Sequence, residues 1–198
     1  MSQKPSAETA DPRVRRTHLL LGQALEKLLG EREFDKISVQ DITEAATLNR
    51  ATFYAHYPDK YSLLECMVAS RFSALLEARG VKFDGGCQSA LRSMALGVCD
   101  YLAAAPGRKS KQVTQMEPHM EAPVISVVTQ MILAGMEKHP PANGVTASML
   151  AAAVSWAMFG AAKDWVRHEH RCPSEEMADQ IMSLLGPLLT AAYDGVAV

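Results

Sequence analysis

Much that would mark an exported, membrane-bound, metal-holding or catalytic chain is missing here. The four cysteines among 198 residues, Cys66, Cys87, Cys99 and Cys172, show no CxxC spacing, so neither a zinc ribbon nor a dithiol redox motif is expected. The opening MSQKPSAETADPRVRR holds no apolar stretch of the kind a secretory signal needs, and a cytoplasmic protein without a disulfide framework is the expectation. The longest nearly continuous apolar run, MLAAAVSWAMFGAA, has fourteen residues. A bilayer-spanning helix needs roughly 18 to 20, so no membrane partner is expected. Charge of one sign is absent too: the net charge is −2 and the pI is near 6.3, so any surface for an anionic partner must be local. No nucleophile elbow, P-loop, dinucleotide fingerprint or HExxH stretch occurs. Neither enzymatic activity nor a cofactor is expected.

Alternating β-branched runs are likewise missing, whereas apolar residues recur at helical spacing nearly throughout, which predicts an all-α protein. A first helix starts with Asp11 as cap and Pro12 in the first turn. It carries Val14, Leu21, Leu25 and Leu28 on one side, and Gly30 is placed to stop it. Ser38, followed three residues later by Asp41, is a capping-box arrangement with Ile37 and Ile42 at the staple positions. A short helix with Val39, Ile42, Ala45 and Ala46 facing inward should follow. Asn49 is then a good cap for a second short helix, which Pro58 ends. Two short capped helices joined so briefly are what a helix-turn-helix requires, with the first helix sheltering their apolar faces.

Asp59 is placed to cap a fourth helix carrying Leu63, Leu64, Met67, Val68, Phe72, Leu75 and Leu76 up to about Gly80, a bridge between modules. Loop-like stretches at 81–87, 105–111, 139–144 and 171–174 separate four further helical segments. The last two, 146–168 and 174–193, are apolar over wide arcs, with small residues such as Ala153, Ala157 and Gly160 and with Pro187 placed to kink the second. A homodimer through a four-helix bundle is the expectation, the alternative being two central helices of a monomeric core.

Aromatics are scarce, twelve in all, yet Phe53, Tyr54, Tyr57 and Tyr61 fall within nine positions. On the second short helix Phe53 and Tyr57 lie at i and i+4 and should pack inward, leaving Arg50, Ala51, Tyr54 and Ala55 on the opposite arc. Arg50 and Tyr54 are then free to reach base edges or phosphates, and Ala51 or the Thr52 methyl to meet a thymine methyl. The Thr52 and Tyr57 hydroxyls and the His56 ring are available for flanking phosphates. Lys60 opposes the macrodipole in the first turn of its helix, an arrangement that calls for an anion, which a DNA phosphate would supply. The helix start at Ser38 suits another phosphate. Residues 1–60 hold nine Lys/Arg and nine Asp/Glu, so placement rather than excess carries this reading. Arg13, Arg15 and Arg16 form either a basic cluster or a solvated helix face.

Residues 11–64, and above all ISVQDITEAATLNRATFYAHYPDKYSLL (37–64), resemble the N-terminal DNA-binding domain of the TetR family of bacterial transcriptional regulators. The resemblance implies a three-helix DNA-binding domain over 11–58 and a larger helical ligand-binding and dimerisation domain over 59–198. It further implies a homodimer, probing a palindromic double-stranded DNA operator, with a small-molecule effector that releases a repressor. Carried over by position, Asn49, Arg50, Ala51, Thr52, Tyr54 and His56 belong to the recognition helix, with Tyr57, Lys60 and the Ser38 helix start as phosphate contacts. Where the family often has Gly in the turn this chain has Thr47, which is strained if φ is positive. The segment WAMFGAAKDWV (156–166) is more weakly similar to the penultimate helix of many members.

Other signals are open or discounted. Met116, Met120, Met131, Trp156 and Phe159 are candidates for an adaptable apolar ligand pocket, or for ordinary core. His168, His170 and Cys172 in RHEHRC fall at alternate positions, which splays ligands apart on a helix, and lie at a helix end with no fourth ligand evident, so a metal site is not expected. The run RKSK (108–111) reads as a solvated loop. A helical small-molecule binder that leaves its helix-turn-helix unused, or a DNA binder without a ligand, are the rival readings.

Overall fold

The computed structural model describes residues 11–83, 87–104, 111–137, 139–142 and 144–193, with only the backbone of 111–117. Every regular element among them is helical: α1 (Pro12–Glu31), a 3-10 turn (Phe34–Lys36), α2 (Val39–Ala45), α3 (Arg50–His56), α4 (Lys60–Ala78), α5 (Gln88–Ala104), α6 (Lys111–Met136), α7 (Ala147–Arg167) and α8 (Ser174–Tyr193). No helix among the described residues is long and apolar enough to cross a membrane. The chain forms two compact units, with the division inside α4, between Met67 and Val68.

In the first unit the caps read from the sequence form. The Asp11 carboxylate accepts from the Arg13 N–H at 2.9 Å, with Pro12 in the first turn. Such a cap satisfies one of the four donors a helix start leaves open. Gly30 does not stop α1, contrary to the sequence reading. Among the described glycines only Gly80 and Gly144 are left-handed, so α1 runs on to Glu31 and leaves through an extended Arg32, whose N–H reaches the Leu28 carbonyl at 2.9 Å. Leu21, Leu25 and Leu28 of α1 are buried along with Phe34, Ile37, Ile42, Ala46, Phe53, Tyr57, Leu63 and Leu64. The side chains that hold α2 and α3 thus come from all four helices of the unit and from the 3-10 turn.

In the second unit α5 packs on α7 and α8, and α7 also packs on α6 and α8. Leu91, Met94, Val98, Val128, Ile132, Leu150, Val154, Met158, Ile181 and Leu185 are all buried there. Arg92 of α5 grips the Asp179 carboxylate of α8 with Nε at 2.5 Å and Nη2 at 2.9 Å, a two-pronged pair across the helix interface. At Gly135 of α6 an added Cβ would lie 2.8 Å from the Phe83 carbonyl oxygen, so only glycine admits the backbone that crosses there. Helix α6 contains Pro118 and Pro123, and α8 contains Pro187. The cysteines are free thiols.

Candidate nucleic-acid interface

Helix α2 opens with a full capping box. The Asp41 N–H donates to Ser38 Oγ at 3.1 Å, and the Ser38 N–H donates to Asp41 Oδ2 at 2.8 Å. Arg32 adds an ion pair to the same carboxylate at 3.2 Å. The Ser38 hydroxyl donates to Asp41 Oδ2 at 2.6 Å. Those bonds, with Arg32, hold the carboxyl of Asp41 below the usual carboxylate range. The sequence reading of this helix start as a phosphate site is therefore corrected: its own anion, Asp41, already sits there.

The turn between α2 and α3 closes by two bonds. The Thr47 N–H reaches the Glu44 carbonyl at 3.1 Å and the Leu48 N–H reaches the Thr43 carbonyl at 2.9 Å. This is the Schellman pattern, whose C′ residue must be left-handed. Thr47 takes that place with φ 57°, the one positive-φ residue other than glycine among those described. The same pattern closes α4, where Gly80 and Val81 bond back to Glu77 and Leu76 and the left-handed residue is Gly80, at φ 65°. The turn conserves its shape and Thr47 carries the strain.

Helix α3 begins at Asn49, whose side-chain oxygen accepts from the Thr52 N–H at 2.7 Å and from the Thr52 hydroxyl at 3.0 Å. Phe53 is fully buried and Tyr57 nearly so, while Asn49, Arg50, Ala51, Tyr54 and Ala55 are exposed. Tyr54 keeps half of its surface open, although its ring packs edge-on to Phe53 with centroids 5.4 Å apart. Arg50 lies over the Tyr54 ring, 5.9 Å from its centroid, and its guanidinium reaches the phenol oxygen at 3.5 Å. The pair at i and i+4 presents a cation and a hydroxyl side by side on the outer arc.

Three predicted contacts have partners within the protein that the sequence did not show. The Tyr57 hydroxyl donates to Cys66 Sγ at 3.5 Å, and burial, with that bond and the neighbouring thiol, pushes its phenol above the ordinary range. It faces the core and is not aimed at a flanking phosphate, because the i, i+4 face that buries Phe53 also carries Tyr57. Lys60 does find acceptors for its misplaced charge, but they are the carbonyls of Phe34, Asp35 and Ile37. His56 is half-buried. One ring nitrogen meets His18 Nε2 of α1 at 3.3 Å, with the rings in a T at 5.0 Å. His18 also stands 5.2 Å from the Tyr57 ring. Burial first, and then the His56 ring, hold the His18 imidazole below its usual range. Sequence reasoning missed His18, because an isolated histidine on an amphipathic helix carries no signal of its partner 38 residues away.

The proposed pocket residues scatter. Met120 and Met131 are half-buried on α6, and Phe159 is buried on α7. Trp156 is 62% exposed on α7 and so points away from any core, a correction to its place in an enclosed pocket. Met116 lies on α6 with its side chain outside the described residues, as do residues 108–110 of RKSK. Between α6 and α7 lies a pair that the sequence did not single out: Thr129 Oγ1 and Ser155 Oγ are 2.7 Å apart, and the Ser155 hydroxyl reaches the Ala151 carbonyl at 2.8 Å. In RHEHRC, His168 pairs with Asp164 at 3.4 Å, and the Cys172 carbonyl accepts from the Trp165 indole at 3.0 Å. No cluster of three or more metal-ligating side chains occurs among the described residues.

The family of bacterial regulatory proteins, tetR family, matches residues 23–67. The uncharacterized HTH-type transcriptional regulator YxbF of Bacillus subtilis (strain 168) is 35% identical over 68 residues, which make up 34% of this chain and 18% of that protein. The chain therefore spans less than a fifth of the length of that relative. Among solved structures, the TetR family repressor AlkX from Dietzia sp. strain DQ12-45-1b is similar with a TM-score of 0.56 at 15% identity, over 88% of this chain and 98% of that one. RolR, solved with its ligand resorcinol, is similar with a TM-score of 0.52 at 16% identity, over 93% and 98%. At such identities the two structures share the fold. The matched segment runs from within α1 through the turn at Thr47 and helix α3 into α4, and over it the chain is similar to the bacterial regulatory proteins of the tetR family.

Proposed function

We propose that this chain is a sequence-specific DNA-binding regulator, a repressor that sets α3 of each subunit of a homodimer into successive major grooves of a near-palindromic operator. The observation that carries this reading is the division of α3: Phe53 and Tyr57 anchor it, while Arg50, Ala51 and Tyr54 form an uncovered polar arc. Arg50 is the base reader, able to take the two acceptors of a guanine edge. Asn49, Thr52, Tyr54 and His56 flank it as groove and phosphate contacts. Two-fold symmetry then requires the two α3 helices to lie about 34–36 Å apart, or a multiple of that, in the binding state.

Residues 11–58 act as the DNA-reading module and 59–198 as the effector and dimerisation module. Met149, Trp156, Leu184 and Leu188 are large apolar residues exposed on α7 and α8, and Ala153, Ala157 and Gly160 of α7 are exposed as well. A second copy of the same pair of helices covers them in a four-helix bundle. A small molecule held beside α6 and α7, where Met120, Met131 and Phe159 lie, favours a different separation of the α3 helices and releases the operator. Since RolR was solved with resorcinol, a small apolar or aromatic effector is the class to test first.

The test is a fluorescence-anisotropy titration with the duplex upstream of the chain's own gene against a scrambled duplex. Saturable binding of two chains per duplex, with preference for the upstream sequence, is expected. Equal affinity for both duplexes would refute sequence-specific regulation.

A further inference from the structure

Lys60 is bound by the protein itself in a manner that assigns it a role different from holding DNA. Its ammonium donates to three backbone carbonyls, those of Ile37 at 2.8 Å, Phe34 at 2.9 Å and Asp35 at 3.3 Å. An ammonium has three donors, and three acceptors receive them. The Phe34 ring lies beneath the charge, 4.5 Å from Nζ to the centroid, with the Tyr61 ring at 5.7 Å. These carbonyls line the 3-10 turn and its exit: that of Phe34 also accepts from the Ile37 N–H at 3.0 Å, while those of Asp35 and Ile37, at its end, are of the kind a helical turn leaves without partners inside it. The cation thus stands at the wrong end of α4 and at the right end of the turn before it.

The two ends of this link have a defined place in the fold. Ile37 immediately precedes Ser38, the cap of α2, and Lys60 opens α4 just after the Tyr57–Pro58–Asp59 exit from α3. We propose that Lys60 is a positioning residue for the recognition helix: it fastens the entrance of α2 to the exit of α3, so the two helices of the reading motif are clamped at the end opposite the Thr47 turn. The role rests on the reading of α3 as the DNA-reading helix. A cradle of converging carbonyls fits the compact ammonium and not the planar, wider guanidinium of arginine, whereas a phosphate accepts either cation.

Full-length wild type, Lys60→Met and Lys60→Arg distinguish these roles. Thermal unfolding and operator binding are measured for each, the latter over a series of salt concentrations at a temperature where all three are fully folded by circular dichroism. The clamp predicts a melting temperature lowered by several degrees in both variants. It also predicts operator affinity reduced several-fold in both, with the slope of log K against log salt unchanged. A slope shallower by about 1.8, the loss of one phosphate contact in each of the two subunits, with binding restored in Lys60→Arg and melting unaltered, would overturn it. A lowered melting temperature with wild-type operator affinity would overturn the positioning role and leave a purely structural contact. Wild type that binds no duplex at all would instead refute the reading of α3, and the positioning role with it.

Discussion

Thr47→Gly should make this protein more stable, although it deletes a side chain. Thr47 stands at φ 57° in a turn whose shape is fixed by two bonds, from its own N–H to Glu44 and from Leu48 to Thr43. A left-handed L-residue costs roughly 1–2 kcal/mol, and a β-branched side chain belongs at the upper part of that range. Glycine removes the strain but brings a more flexible unfolded chain, a loss of roughly 0.5–1 kcal/mol. Thr47 is exposed, so truncation leaves no cavity. The difference is a gain of about 0.5–1 kcal/mol, or a rise in melting temperature of about 1–4 °C for a chain of this size. Thr47→Asn should gain a similar amount, since asparagine tolerates the left-handed region without glycine's entropy. Gly80→Thr is the mirror experiment in the matching turn of α4 and by the same balance should cost about 0.5–1 kcal/mol. Urea unfolding followed by circular dichroism reads all three. If Thr47→Gly is neutral or destabilising while Gly80→Thr behaves as expected, the strain attributed to Thr47 is wrong.

Two further outcomes follow from the same structure. Trp156→Glu places a charge on the exposed face of α7 and should shift sedimentation from dimer to monomer while helicity is retained; a dimer that survives would place the subunit contact elsewhere. His18 has its proton affinity lowered in the folded state, so the unfolded chain takes up the proton first as the pH falls through the ordinary histidine value of 6.5. Stability is then full above that value and is lost below it. The urea midpoint should fall between about pH 7.5 and pH 5.5 in wild type and fall less in His18→Gln. Equal pH dependence in both would show that the imidazole pair plays no part.

The fold was legible where sequence signals are local. The caps at Asp11, Ser38, Asn49 and Asp59 each depend on residues three or fewer positions apart, and each forms. The inward and outward arcs of α3 follow from helical period alone, so Phe53 and Arg50 fell on their proper sides. What escaped depended on distant partners. The acceptors for Lys60 lie more than twenty residues away. The sequence raised the right question about its charge but could not show that carbonyls, rather than an outside anion, answer it. His18 and the Thr129–Ser155 pair were hidden for the same reason, since nothing nearby in the chain announces a contact across helices. Trp156 misled because a large aromatic amid alanines fits a buried site and a subunit contact equally well, and only its exposure separates the two. At Thr47 the sequence made strain conditional on a positive φ, and the backbone angle meets that condition.

The claim on which all else depends is that the arc of Arg50 and Tyr54 reads base edges. Its most direct measurement is the ratio of affinities for operator and scrambled duplex, compared between wild type and Arg50→Ala at fixed salt. Loss of a bidentate base contact is worth roughly 1–3 kcal/mol of discrimination in each half-site, so over the two half-sites the ratio should fall by at least about 30-fold while binding to the scrambled duplex changes little. A variant that keeps the wild-type ratio would contradict the account.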